Sequence, residues 1–408
     1  MKYIILVGDG MGDLPLPELG SRTPLETANT PTMDNLSRNG ELFLLQTIPN
    51  GMQPGSDIAN LSLLGYEPQD FYTGRAPLEA ASMGIELAAD ETAYRCNLVT
   101  LEKNGPDSLI MVDFSAGHIP TVEARILISG LQEELGSYLF HFYPGISYRH
   151  LMIYKNNVPD LVTVPPHDFI GKNVAEYWQR YLQFPELQLM LESACKLLEN
   201  HPVNEQRKKL GKLTANSIWL WGEGKSLTMP SIKAQFGLHG SLISAVDLLK
   251  GIGVYGGLDI INVEGATGYL DTNYAGKAAA ALEALTHQDF VFVHVEAPDE
   301  AGHQGRIPEK IRAIEDFDSK IVKPILEGLQ TMENRPEFRM VVCMDHLTPI
   351  SLRTHTDQPV PVLLYDSRLE GVQSGLPYTE KNAEKTGTLL TSGRGFFNKL
   401  LQRDQEKP

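Results

Sequence analysis

The sequence predicts an α/β protein: a parallel sheet flanked by helices, interrupted by an inserted α+β block. Three observations predict it. The chain opens on a continuous apolar run, residues 3–7, ending in Gly8-Asp9-Gly10. That is the pattern of a parallel strand buried on both faces, with a functional loop at its carboxyl end. After about residue 230, strand-like and helix-like segments alternate regularly, which specifies a parallel sheet covered by helices. Between about 68 and 229 the texture changes, and that stretch carries strands and helices of its own. The N-terminal strand joins the later sheet. The core, 1–67 and 230–408, is therefore discontinuous around the insertion 68–229.

Composition narrows the class. The 408 residues, 42% hydrophobic and 21% charged, suffice for a full core with an insertion. A formal net charge of −16 argues against nucleic acid or an anionic membrane as partner, since either needs a basic face. Small anionic substrates stay open, because they respond to the local field of a cleft or a metal. Cys96, Cys195 and Cys343 are far apart and form no CxxC pair, so neither a disulfide framework nor a cysteine zinc site is indicated. The N-terminus, MKYIILVGDG, is too short an apolar run for a signal peptide or membrane span, and a cytoplasmic protein is expected.

The elements follow in order. Gly8, Gly10 and Gly12 suggest a dinucleotide loop, but Asp13 stands where that fingerprint needs glycine, and PLPELG after it starts no helix. Asp9, at a strand end, is left as a candidate ligand. Thr30-Pro31 caps a helix reaching about residue 39, with Met33 and Leu36 inward, and 41–48 is a second strand. In GMQPGSDIANLSLLG, Pro54 and Gly55 force a turn and 57–64 reads as a short helix. Ser56 thus lies at a helix N-terminus, where unpaired N–H groups favour an anionic oxygen or a phosphate. Serine is also among the commonest caps, so this stretch alone leaves both roles open. The insertion shows strands at 94–101, 109–114, 151–154 and 217–221, and helices at 122–135 and 173–198. An exposed helix end and loop fit 196–212. The core resumes with helix 241–250, strand 258–263, helix 273–285, strand 290–296, helix 308–329 and strands 339–344 and 360–365.

Two of those later strands end in acid–histidine groups. Strand 290–296 leads into Ala297-Pro298-Asp299-Glu300-Ala301-Gly302-His303, and strand 339–344 into Asp345-His346, with His355 nine residues on. Carboxyl ends of parallel strands lie along one edge of a sheet, where ligand sites form. Asp9, Asp299, His303, Asp345, His346 and His355 therefore converge although scattered in sequence. One Asp-x-x-x-His alone reads more readily as a polar surface loop; three strand ends together point to metal. Mixed carboxylate and imidazole donors suit Mn²⁺, Zn²⁺ or Co²⁺ better than Ca²⁺.

At these residues the chain resembles a known family, the archaeal-type 2,3-bisphosphoglycerate-independent phosphoglycerate mutases of the alkaline phosphatase superfamily. The shared segments are GDGMGD, PGSDIANLSLLGY, YTGRAPLEA, SYRHL, PPHD, NSIWLWGEGK, ISAVDLLKGIG, GATGYLDTNYAGKA, VHVEAPDEAGHQG and DHLTPISLRTHTDQPVP, in one order along nearly the whole chain. The resemblance implies an alkaline-phosphatase-like core and a lid in the insertion. It makes Ser56 the phosphorylated nucleophile. It assigns Asp9, Ser56, Asp345 and His346 to one divalent ion and Asp299, His303 and His355 to another, with Mn²⁺ first and Zn²⁺, Co²⁺ or Mg²⁺ as alternatives. Phosphate then leaves 3-phosphoglycerate for Ser56, the glycerate turns in a closed cleft, and the phosphoryl group returns to the 2-hydroxyl. The other readings are a phosphotransferase acting as a homoserine kinase, as proposed for bacterial relatives, and a plain metal-dependent phosphatase. Candidates for the carboxylate clamp are Arg75, Arg149 and Lys225, with His118 and His150 as proton carriers; a surface ion pair is the alternative role for each cation. His167 and His239 are read as structural. Two departures stand out. Leu347 occupies the place of a small polar residue before Thr348-Pro349, which predicts different packing behind the ligands. The tail, SGRGFFNKLL, differs from the usual ending and leaves the role of the C-terminus open, as is the oligomeric state.

Overall fold

The computed structural model describes residues 1–105, 107–155, 161–333 and 335–402. Its strands, in chain order, are β1 (Lys2–Gly8), β2 (Glu41–Leu45), β3 (Thr92–Lys103), β4 (Leu109–Asp113), β5 (Phe140–Ile146), β6 (Arg149–Tyr154), β7 (Ser217–Gly224), β8 (Gly240–Ile243), β9 (Asp259–Ile260), β10 (Phe290–Val295), β11 (Phe338–Cys343), β12 (Val360–Asp366) and β13 (Leu389–Leu390). The chain divides into two compact units, Met1–Tyr72 with Thr228–Pro408 and Thr73–Leu227. No described helix is long and apolar enough to cross a membrane.

The first unit is built on an eight-stranded sheet of order β13-β2-β12-β11-β1-β10-β8-β9. From β11 to β9 neighbouring strands run parallel. Every residue of β10 and β11 is buried, as central strands covered on both faces must be. The sheet is mixed beyond them: β12 runs antiparallel to both β11 and β2. The reason lies in the connection 344–359, which contains no helix. A parallel return needs a crossover, usually helical, and without one the chain comes back antiparallel.

Several expected elements change for physical reasons. The segment expected as helix 241–250 is the strand β8, paired with β10 from Gly240 to Ile243, and the helix follows as Asp247–Tyr255. A short apolar run fits either element, and the open edge of β10 decides it. The strand expected at 258–263 is reduced to β9 at the sheet edge. The helix Pro31–Asn39 receives no cap from the Thr30 hydroxyl. Its first amides, of Thr32 and Met33, donate instead to the Asp318 carboxylate at 3.3 and 2.6 Å. Asp318 opens a π-helical turn, Asp318–Val322, between the helices Ile307–Phe317 and Lys323–Thr331. The expected helix 308–329 is thus one rod with a bulge that aims a carboxylate at another helix's N-terminus.

The divergent tail forms the helix Gly393–Leu401, which buries Phe396, Phe397 and Leu400. Phe397 stacks on Phe236, with ring centroids 4.2 Å apart, and meets the edge of Phe290 on β10 at 5.7 Å. Arg339 of β11 donates to the carbonyls of Lys399 and Leu400 at the helix C-terminus. The helix Gly393–Leu401 is therefore part of the core.

The second unit carries a five-stranded sheet, β4-β3-β6-β5 with β7 also on β3, antiparallel throughout. Tyr94, Cys96, Leu98, Met152 and Tyr154 are buried in one core with residues of the helices Thr121–Leu135 and Pro185–Glu199. Ala93, Leu151 and Ile153 pack with Ala76 and Ala80 of the helix Arg75–Ser82 in a second cluster. The helix expected over 173–198 is two, Ala175–Leu182 and Pro185–Glu199, because Pro185 lacks the N–H that would continue the first. Within 196–212 lies the helix Pro202–Lys209, held by buried Arg207, which pairs with Glu123 at 2.5 Å.

Candidate active site

The parallel registers of β10, β1 and β11 bring three loops to one sheet edge: Gly8 lies opposite Val295, and Val7 opposite Cys343. Asp9 follows β1, the helix Ala297–His303 follows β10 and Asp345-His346 follows β11. The turn after Asp9 needs glycine at residue 10. Its φ is +56°, and a Cβ there would collide with Asp299 Oδ1 and Thr348 Oγ1. Gly10 N–H donates to Asp345 Oδ1 at 3.1 Å, which ties the first loop to the third.

Ser56 is the first residue of the helix Ser56–Leu63, and the cap position belongs to Gly55. The capping role is thereby taken from it. Its hydroxyl lies 3.0 Å from His346 Nε2. One turn on, the buried Asn60 donates to Ser56 O at 2.8 Å and to Asp345 Oδ2 at 2.9 Å, so one amide orients both. His346 Nδ1 is 3.2 Å from the Thr348 hydroxyl, which also donates to Asp299.

Around Ser56 the candidate ligands converge. His346 Nε2 is 3.5 Å from both Asp9 Oδ1 and Asp345 Oδ2. His303 Nε2 is 3.2 Å from Asp299 Oδ2, and His355 Nε2 is 3.5 Å from Asp299 Oδ1. The two imidazole nitrogens of His303 and His355 face each other at 2.9 Å. Donor atoms of Asp9, Asp345 and His346, and again of Asp299, His346 and His355, lie within 4.8 Å of one another. His346 thus stands between two groups, each of a size to hold an ion.

The electrostatics fit a cation. Burial raises the Asp9 carboxyl well above its usual value, and the Asp345 and Asp299 carboxylates raise it further. Asp9 Oδ1 is buried without a hydrogen-bond partner. Asp299 is raised by burial but held well below the usual range by His303 and His355. The hydrogen bond to Asp299 lifts His303 to about 9. Burial lowers His346 to about 4, which leaves its imidazole neutral and able to ligate. Carboxylates pressed together beside neutral imidazole form a donor set that divalent cations satisfy.

The clamp candidates lie in the second unit. Arg75 begins the helix Arg75–Ser82, and Arg149 is exposed at the start of β6, its guanidinium 5.3 Å from the Tyr148 ring centre. His118, exposed and left-handed at φ 49°, meets Phe114 and Tyr148 edge-on. Lys225 is exposed just after β7. His150 is a correction. It is 2% exposed, its Nδ1 accepts the Gly145 amide at 3.0 Å, and burial lowers it to about 3. In register with Cys96, it is enclosed, and burial favours its neutral imidazole over the charged form that a proton carrier must take up.

The comparisons decide the family. A family model described as 2,3-bisphosphoglycerate-independent phosphoglycerate mutase matches residues 37–204. A Methanosarcina barkeri protein of that name is 50% identical over 403 residues, covering 98% of this chain and all of its own. The chain belongs to this family. A Geobacter sulfurreducens protein named as a probable mutase of the same kind is 49% identical over 403 residues, covering 99% of this chain and 100% of its own. Among solved structures, a Pyrococcus horikoshii protein (29% identity) superposes with a TM-score of 0.81, covering 100% of this chain and 99% of that one. The cofactor-independent phosphoglycerate mutase of Thermoplasma acidophilum (25% identity) superposes at 0.66, covering 98% and 99%.

In this member of the mutase family several residues beside the ligands escaped the sequence reading. Lys310 Nζ, wholly buried, donates at 2.8 Å to Gly12 O, Thr348 O and Asp13 Oδ2, clamping the first loop to the third. Leu347 bridges to Met11, Gly12 and Thr356 through backbone contacts, and its buried side chain packs against Gly12. No periodicity announces a buried lysine on a helix. Arg95 also escaped: it pairs with Glu79 at 3.0 Å and stacks 4.0 Å over Trp221. Its pKa is lowered first by burial and further by Arg75 and Arg149, which marks the three as one positive cluster. His167, read as structural, is 5.4 Å from Trp221 beside that cluster.

Proposed function

We propose that this chain interconverts 3-phosphoglycerate and 2-phosphoglycerate through a phosphoserine at Ser56, without 2,3-bisphosphoglycerate. The observation that carries this reading is the Ser56 hydroxyl, free of any capping role, 3.0 Å from His346 Nε2 among the convergent carboxylates. Asp9, Ser56, Asp345 and His346 would hold one divalent ion and Asp299, His303 and His355 the other, Mn²⁺ being the first candidate. Bound there, the ions would supply positive charge that lowers the proton affinity of the serine hydroxyl and neutralises phosphoryl oxygens.

In this reading Ser56 Oγ gives up its proton and attacks phosphorus as the bond to the 3-oxygen breaks, and the leaving oxygen takes up a proton. Amides of the first turn of Ser56–Leu63 favour the incoming phosphoryl charge. Asn60 keeps Ser56 and Asp345 in one geometry through both half-reactions. The 2-hydroxyl then attacks phosphoserine, loses its proton and restores Ser56. In the same reading the second unit would supply the lid and clamp, with Arg75, Arg149 and Lys225 the candidates to hold the glycerate carboxylate and His118 to move protons. Arg95, fixed by Glu79 and Trp221, adds charge to that cluster. A cytoplasmic location belongs to the same reading, since a charged phosphorylated substrate does not cross a bilayer unaided.

The test is a coupled enolase assay of metal-loaded protein supplied with 3-phosphoglycerate. Steady formation of 2-phosphoglycerate is expected. No product with Mn²⁺, Mg²⁺, Zn²⁺ or Co²⁺ overturns the reading. Release of inorganic phosphate without isomerisation would replace it by a phosphatase, and formation of phosphohomoserine from homoserine and a phosphoryl donor, faster than mutase turnover, by a kinase.

A further inference from the structure

The strand β10 is apolar except for His294, and the residue two further on is Glu296, which immediately precedes the helix Ala297–His303. Residues two apart on an extended chain share a face. His294 is 0% exposed and places each ring nitrogen against a carboxylate: Nδ1 is 3.3 Å from Glu296 Oε1, and Nε2 is 3.3 Å from Asp9 Oδ2 and 4.0 Å from Asp345 Oδ2. Glu296 is itself fully engaged. Its Oε1 accepts from Ser244 Oγ and Ala245 N, each at 2.9 Å, and its Oε2 from Lys277 Nζ at 2.8 Å. Lys277, 0% exposed, also donates to His294 O at 2.8 Å. A buried lysine, carboxylate and imidazole thus stand in line and end on Asp9.

Such a line is costly as a stabilising device. Desolvating the Lys277–Glu296 pair offsets most of its attraction. Neither His294 nitrogen makes an aligned hydrogen bond, although both are buried. A buried polar group in that condition calls for an explanation beyond packing. Glu296 has no choice of position, so His294 has little, and the Asp9 carboxylate is the one group in the line left with an unpartnered oxygen. That oxygen, Oδ1, faces His346 at 3.5 Å, on the side away from the relay's contact.

We infer that Lys277, Glu296 and His294 are positioning residues that aim Asp9 at the ion shared with Asp345 and His346. They set the affinity of that ion and leave the ion of Asp299, His303 and His355 untouched. The inference rests on the two-ion reading proposed above. Partners behind a ligand fix its orientation, and removing one commonly costs about 10–100-fold in metal affinity.

Calorimetric titration of metal-stripped protein with Mn²⁺ tests this without any turnover. The wild type should take up two ions, and His355→Ala identifies which step belongs to the other group. His294→Leu removes the imidazole's contacts with Glu296 and Asp9, and His294→Asn is too short to reach Asp9. In both, the affinity of the Asp9 ion should fall about 10–100-fold while the other ion is unchanged. His294→Gln, whose amide reaches where Nε2 lies, should recover most of the loss. Ser244→Ala, which removes one of the two donors to Glu296 Oε1 and leaves the ionic groups in place, should weaken the same ion several-fold, and it serves if the His294 variants do not fold. Equal weakening of both ions, or wild-type affinity for both in every variant, overturns the inference alone. A wild type that binds no divalent cation removes the two-ion reading and this inference with it.

Discussion

At the scale of the residue, Ser56 carries the argument because its helix does not need it. Gly55 occupies the cap position in extended conformation, φ −178°, and Ser56 makes no capping bond. Replacing a serine cap by alanine costs about 0.5–2 kcal/mol, so the cap role and the nucleophile role predict different outcomes. For Ser56→Ala we expect a stability loss at or below the lower end of that range, since the change removes no capping bond and only the hydroxyl contact with His346 Nε2. Turnover should vanish, and the phosphopeptide trapped by quenching the wild type with substrate should be missing from the variant. A variant that isomerises phosphoglycerate at near wild-type rate would leave the site without its nucleophile. Gly10 works at the same scale. Its left-handed backbone lets Asp299 and Thr348 close over the Asp9 loop, which no side chain would permit.

At the scale of the element, the β5–β6 pairing shows how a strand decides what a histidine can do. Arg149 and His150 are neighbours in SYRHL, yet successive side chains of a strand point to opposite faces. Arg149 is exposed and His150 is enclosed with its Nδ1 on the Gly145 amide. Protonating Nδ1 would break that bond and bury a charge. The folded value near 3 lies below the unfolded value of about 6.5, so between them the unfolded chain binds the extra proton. Stability from this group is therefore intact above about pH 6.5 and is lost as pH falls toward 3, by at most about 1.4 kcal/mol per pH unit. Urea midpoints of wild type and His150→Gln, compared at pH 7 and pH 5, should show a smaller acid loss in the variant. Equal losses would mean that His150 titrates normally in the fold. The helix Pro31–Asn39 makes a parallel point. Its cap comes from Asp318, on a bulge far along the chain, and the adjacent Thr30 is idle.

At the scale of the whole molecule, the first unit concentrates Asp9, Asp299 and Asp345 at one edge of its sheet, and the cost of that concentration predicts the effect of metal removal. Without cations the carboxylates face one another across a buried space, and burial with mutual repulsion raises Asp9. Chelation should abolish isomerisation and lower the thermal midpoint, and Mn²⁺ should restore both. A ligand at 100 times its Kd contributes about 2.7 kcal/mol to the folded state, an effect that calorimetry reads directly. An unchanged midpoint with and without Mn²⁺ would argue that these residues hold no ion. The tail helix belongs to this scale as well: Phe397, packed on Phe236 and Phe290, joins the last element of the chain to the centre of the sheet.

The sequence by itself determined which residues end the central strands. Apolar runs buried on both faces are continuous in the chain, and Asp9, Asp299 and Asp345-His346 follow them directly. Parallel pairing then had to bring those ends to one edge, so most of the candidate ligand set was legible before any coordinates. What surrounds that set was not. β8 reads equally well as a helix until β10 offers it an edge, and β12 turns antiparallel because 344–359 supplies no crossover helix. Thr348, Lys310, Lys277 and the His294–Glu296 pair come from separate segments, and apart from His294 and Glu296, two apart in the chain, none shows its partner by spacing. Local pattern records only whether a residue is buried. Which charge a buried lysine or histidine meets is settled when distant segments pack, because desolvation leaves each such group only the partner the topology delivers.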